Sequence, residues 1–147
     1  MNFSVTTVML PTLDLEQTVK LLSRLGFKGV EWRVRRIPPQ KKNEPFSFWG
    51  NHKNDLTPER FLREAFRIRK LCDDHGLRIV ALAAAVRADE IEELKLLADG
   101  AAEAALCGPT GTAAPTTPPL LRVAPPRDYD GRTDYHALYE EAVEAYG

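Results

Sequence analysis

Four times along this chain a short apolar run of strand-forming residues gives way to an amphipathic stretch at helical spacing. The runs cover residues 3–10, 30–34, 77–82 and 120–123, and a helical stripe follows each of them. Strands that alternate with helices predict a parallel sheet covered by helices, joined by right-handed crossovers. A doubly wound sheet and half of a (β/α)8 barrel both satisfy that order. The turn after the first run, Met9-Leu10-Pro11-Thr12-Leu13-Asp14, contains no glycine. Neither a dinucleotide fingerprint nor a P-loop can therefore sit there.

The helical stretches carry their own start and stop signals. Asp14 stands three residues before Gln17, a capping-box spacing, and Leu15, Val19 and Leu22 form a stripe that Gly26 ends. Thr57-Pro58-Glu59 combines a cap hydroxyl, a proline at the first helical position and an acid in the first turn. Phe61, Ala65, Ile68 and Cys72 mark the buried face of that helix, and Gly76 closes it. A third helix is expected over 89–106, with Ile91, Leu94, Ala98, Ala101 and Ala105 facing inward. Gly100 inside it costs about 1 kcal/mol relative to alanine. After an Asp130-Gly131 turn, Tyr135, Leu138, Tyr139, Ala142, Val143 and Tyr146 carry the last helix. Residues 107–119 are rich in Gly, Ala, Thr and Pro and read as a flexible insertion. They precede a strand, which places them at the end of the sheet opposite any site.

At 147 residues the chain suffices for one domain with its own core. Twenty basic residues against 21 acidic ones leave a net charge of -1, which argues against a nucleic-acid or anionic-membrane partner. No apolar run approaches the ~20 residues of a membrane span. The first residues lack a basic region followed by an apolar one, so no signal peptide is expected. Cys72 and Cys107 have no CxxC or Cys/His spacing and read as unpaired thiols of a cytoplasmic protein. The chain contains no HxH, HExxH or GxSxG motif. No metal site or activated nucleophile is expected within it.

In parallel barrels, chemistry sits at the C-terminal ends of the strands and in the loops that follow them. On the second strand Val30, Trp32 and Val34 alternate with Glu31 and Arg33. Two opposite charges on one strand face suit an open mouth better than a dry core. Glu31 could orient a hydroxyl while Arg33 holds a phosphate or carboxylate; otherwise the two form an ion pair that shapes the rim. The long connection 35–56 brings Trp49, Asn51 and His52 to the same end. An aromatic wall with an amide and an imidazole suits a polyol, or the loop simply covers the sheet end. Arg122, ending the fourth strand, either complements an anionic substrate group or pairs with a rim acid such as Glu31 or Asp128. His75 lies at a helix C-terminus, a structural position, and His136 in an exposed first turn.

The stretch Gly26-Phe27-Lys28-Gly29-Val30-Glu31, the opening strand with Met9-Leu10-Pro11, Phe48-Trp49-Gly50-Asn51, His75-Gly76-Leu77 and Leu121-Arg122-Val123-Ala124-Pro125-Pro126 together resemble the xylose-isomerase-like TIM barrels of the sugar phosphate isomerase/epimerase family. The resemblance implies a (β/α)4 half of a TIM barrel, its N-terminal half, with a parallel four-stranded sheet and helices on the outer face. It also implies a sugar or polyol substrate, for which the strand-end residues Glu31, Arg33, Trp49, Asn51, His52 and Arg122 are the candidate binding residues. Family members abstract a proton next to a carbonyl, assisted by a divalent metal (Mn, Mg, Zn or Co), using groups on later strands. Relatives include inosose dehydratases and a DNA-repair endonuclease. The endonuclease's histidines on earlier strands have no counterpart here, since the third strand runs into Ala83-Ala84-Ala85. These residues would then bind substrate without catalysing the reaction. A second expectation, of a different class, is a non-catalytic half-barrel that self-associates through its exposed sheet edges, as a homodimer, or binds a sugar or protein partner.

Overall fold

Each strand is followed by a helix in the computed structural model, which describes residues 2–106 and 117–146. The order is β1 (Ser4–Thr6), α1 (Leu15–Arg24), β2 (Gly29–Val34), α2 (Pro58–Asp73), β3 (Arg78–Ala84), α3 (Ile91–Leu106), β4 (Leu120–Arg122) and α4 (Tyr135–Tyr146). The strands form one four-stranded sheet in the order β1-β2-β3-β4, with every pair parallel. The expected α/β class and parallel sheet are therefore present. Among the described residues no helix is long and apolar enough to cross a membrane.

The core lies on one side of the sheet. Val30, Trp32 and Val34 of β2 meet Ile79 and Leu82 of β3 there, under Val19 and Leu22 of α1, Phe61 and Ile68 of α2, and Leu97 of α3. A bulge in β3 after Ile79 keeps both Ile79 and Leu82 on this face, although three positions separate them. The sequence signals at the helix ends work as expected. Asp14 and Gln17 close a reciprocal capping box, and the Thr57 hydroxyl accepts from the Arg60 amide at 3.2 Å. Gly26 and Gly76 take positive φ, 82° and 67°, where a side chain would be strained. Arg69, buried on α2, donates to Asp73 at 2.8 Å and to the Ala104 carbonyl at 2.9 Å, tying α2 to the end of α3.

Three expectations are corrected. The first strand ends at Thr6, not residue 10, and Thr7–Met9 form a 3-10 turn. There the Thr7 hydroxyl accepts the Arg33 amide at 3.0 Å, taking a donor that a continued ladder would have used. The third helix starts at Ile91, because Glu90 folds back to accept from the Arg87 amide at 2.8 Å. Its buried face comprises Leu97, Gly100, Ala101, Ala104 and Ala105, while Ile91 and Ala98 are exposed. The small residues let α2 approach closely. A Cβ added at Gly100 would stand 2.8 Å from the Phe61 ring. The insertion read over 107–119 falls, up to residue 116, outside the described residues.

Candidate functional site at the strand ends

The register sets which side chains can meet on the face of the sheet that the helices leave uncovered. Thr6, Glu31, Ala81 and Leu120 share one row, and Arg33, Ala83 and Arg122 share another. β3 contributes only alanines to these rows, so long side chains on β2 and β4 can reach across it. Glu31 and Arg122 do so: Arg122 Nε donates to Glu31 Oε1 at 2.6 Å. Of the two alternatives the sequence left for Arg122, the rim pairing with Glu31 is present; Asp128 instead lies 3.2 Å from Arg87.

Arg33 and Glu31 do not pair with each other. Arg33 turns toward the loop, where Nε and a terminal nitrogen donate to both oxygens of Asp55 at 2.6 and 2.8 Å. The same terminal nitrogen donates to the Gly50 carbonyl at 2.7 Å, which Arg35 also reaches at 2.7 Å. Asp55 further accepts the His52 amide at 3.0 Å. Arg35 also lies 3.5 Å from Asp55, so one carboxylate anchors two arginines and the end of the loop. A bidentate pair of this kind is among the stronger arrangements available to a guanidinium.

The loop residues expected to read a polyol occupy different roles. Asn51 is buried, and its amide nitrogen donates to the carbonyls of Lys41 at 2.6 Å and Glu44 at 3.1 Å. Its donors hold the 41–51 loop closed and are not aimed outward. His52 is also buried, with Nε2 3.1 Å from the Phe48 carbonyl. Burial, aided by the nearby Arg33 and Arg35 charges, lowers the His52 pKa below its usual 6.5. Trp49, by contrast, is 84% exposed, with its ring edge-on to Phe48 at 4.5 Å between centroids.

Two structural residues carried no recognisable sequence signal. Asp55 is one. Asn54 is the other: fully buried, it donates to the Leu10 carbonyl at 3.0 Å and to the Thr18 hydroxyl at 3.2 Å. An isolated Asn-Asp pair before a helix cap matches no motif, and its partners lie up to 44 positions away.

Between these groups is a cleft of about 380 Å³. Thr6, Val8 and Met9 form one wall, Ala83 to Ala85 another, and Phe48 with Trp49 a third; Arg33, Arg35 and Arg122 supply its charged lining. A second hollow of about 280 Å³ lies between α4 and the preceding loop, lined by Tyr129, Tyr135 and Tyr139. Its charged groups, Arg127 and Glu141, are hydrogen-bonded to each other at 2.8 Å. Among the described residues no group of three or more His, Cys, Asp or Glu side chains comes together as a metal site would need. Comparison of the chain with family models, curated proteins and solved structures finds no significant match.

Proposed function

We propose that this chain is the substrate-holding, N-terminal half of a sugar (phosphate) isomerase/epimerase-type barrel, binding a sugar or polyol at the C-terminal end of its parallel strands. The observation that carries this reading is the Glu31–Arg122 pair, which spans three strands on the uncovered face beside the cleft. A carboxylate and a guanidinium on a sheet face are costly in a dry core and natural in a wet, ligand-accepting mouth. Glu31 can accept a hydroxyl, Arg122 can donate to an oxygen, and the exposed Trp49 ring offers an apolar face to sugar C–H groups.

The strand stagger supports the barrel half of the proposal. The middle of β1, Val5, is level with Val30 and Ile79, whereas the middle of β4, Leu121, is level with Leu82. The paired window slides by two residues on β2, or by three on the bulged β3, over three strand steps. At ~3.3 Å per residue and ~4.8 Å between strands, the tilt is about 25–35°, bordering on the roughly 35–45° of closed barrels.

Metal-assisted proton abstraction next to a carbonyl is the reaction the resemblance brings with it. No step of it is assigned to these residues, whose part is to bind and orient. Calorimetric titration with a panel of aldoses, ketoses, polyols and their phosphates tests the proposal, together with an isomerase assay in Mn²⁺. Saturable binding that Glu31→Ala abolishes is the expected result. Binding by no member of the panel, or binding indifferent to Glu31→Ala, removes the reading.

A second reading is favoured by the sheet edges. Among the described residues β1 and β4 each pair on one side only, and Phe3 and Leu120 nearby are 59% and 74% exposed. Unpaired edges of this kind invite association, and a second copy of the chain could continue the sheet.

A further inference from the structure

We infer that the outer face of α1 is a docking groove for α4 of a second copy of this chain, with leucines meeting tyrosines and Lys20 and Arg24 meeting Glu140 and Glu144. This deepens the self-association reading above and rests on it.

α4 is the helix that the fold leaves uncovered. Among the described residues it buries no side chain, whereas α1, α2 and α3 each bury four or more. Its sequence is nevertheless amphipathic. Tyr135, Tyr139, Val143 and Tyr146 fall at helical spacing on one side and are 42–73% exposed. A bare apolar stripe of this kind marks an interaction surface. Glu140 and Glu144 run beside it, one turn apart. α1 offers a matching surface. Leu13, Gln17 and Leu21, with Lys20 and Arg24, line an outward groove of about 390 Å³. The two basic residues also stand one turn apart, ~6 Å along the axis, so the two pairs can meet in register. Lys20 reaches Glu16 at 3.9 Å, both side chains being more than half exposed, and a pair so exposed holds it weakly. The side chains of Arg24, Glu140 and Glu144 pair with none of the described residues.

The charge of the whole chain divides in the same sense. Residues 1–87 hold 16 basic and 9 acidic side chains, and residues 88–147 hold 4 and 12. A near-neutral chain split this way attracts the opposite end of a second copy. Topology leads to the same pairing. α1 follows one edge strand and α4 the other, and helices that follow neighbouring strands touch, α1 with α2 and α2 with α3. If β1 of a second copy continued the sheet beyond β4, α4 and the second copy's α1 would become neighbours by the same rule.

Sedimentation velocity of the full chain tests this with two charge-reversed variants, Lys20→Glu/Arg24→Glu and Glu140→Lys/Glu144→Lys, each alone and the two mixed. All four side chains are exposed, so circular dichroism is expected to match that of the wild type. The wild-type dimer is expected to weaken as salt rises, because the charges that join it are screened. Each variant alone sets like charges against each other and is expected to weaken the dimer roughly 10- to 100-fold. Mixing them pairs reversed α1 with reversed α4 and native α1 with native α4, and is expected to restore wild-type affinity. If both variants dimerise as the wild type does, or if their mixture regains nothing, the helix contact is overturned while edge pairing stands. A wild-type dimer indifferent to salt overturns the contact whatever the variants do. A wild-type chain that is monomeric at every concentration removes the contact and the self-association reading together.

Discussion

The Asp55 carboxylate meets the Arg33 fork with both oxygens and the His52 amide with one of them, and only 5% of its side chain is exposed. Asp55→Ala would strand a guanidinium that is itself only 10% exposed. Breaking a buried pair from one side costs about 3–5 kcal/mol, far more than the pair contributes when compared with an apolar replacement. Urea denaturation of Asp55→Ala is expected to show a loss of that size, and a loss within experimental error of zero would mean that water solvates Arg33. His52 gives a second expectation, one of pH. Burial holds its folded-state pKa below 6.5, so on acidification the unfolded chain takes up a proton first. The unfolded state then binds more protons than the folded state, so stability from this group is full above pH 6.5 and falls as pH drops below it. His52→Gln is expected to flatten that part of the stability–pH curve, which a denaturation series from neutral to mildly acidic pH would reveal. At this scale the sequence was half informative. Glu31 and Arg122 could be placed at strand ends because strand periodicity fixes direction. The partners of Arg33 and Asn51 could not, since those contacts are made by a loop whose path no periodicity encodes.

Gly100 shows how an element can be legible in its existence and not in its face. Taken alone, Gly100→Ala should stabilise α3 by about 1 kcal/mol through helix propensity. The added methyl would stand 2.8 Å from Phe61 Cδ1 and 3.3 Å from the Leu62 Cα, one a fully buried ring and the other backbone, so neither can easily yield. Overpacking costs of this kind run to about 1–3 kcal/mol and exceed the propensity gain. Gly100→Ala is therefore expected to lower the thermal midpoint; a raised midpoint would show that α2 and α3 can separate at little cost. The starts of α1 and α2 were readable because caps are local chemistry, written within three or four residues. The inward face of α3 was not, because a ring on a different helix selects it. β1 was misjudged for a similar reason: the Thr7 hydroxyl that replaces the strand ladder does so by bonding Arg33, 26 positions away.

For the molecule as a whole, the outstanding physical demand is the pair of edges that β1 and β4 leave open among the described residues. Alternation of strand and helix was enough to foresee a parallel sheet, because so few connections satisfy that order. What lies beside β1 and β4 is not written in the alternation. A second copy related by a two-fold axis along the strands would set β4 of one chain parallel to β1 of its partner, satisfying the free backbone groups of both. It would also bring the uncovered faces together around one mouth, with a Glu31–Arg122 pair from each copy. Leu120, on that face and 74% exposed, would lie at the seam. Sedimentation velocity is expected to show a concentration-dependent dimer. Leu120→Lys, which places a charge where an edge strand would be covered, is expected to shift it to monomer with unchanged circular dichroism. The substitution alters an exposed side chain, so a change in assembly without a change in fold isolates the edge as the cause. A wild-type chain that stays monomeric at every concentration would mean that the three-residue edges are too short to recruit a neighbour, and the proposed ligand would then have to be held in a half-open cleft.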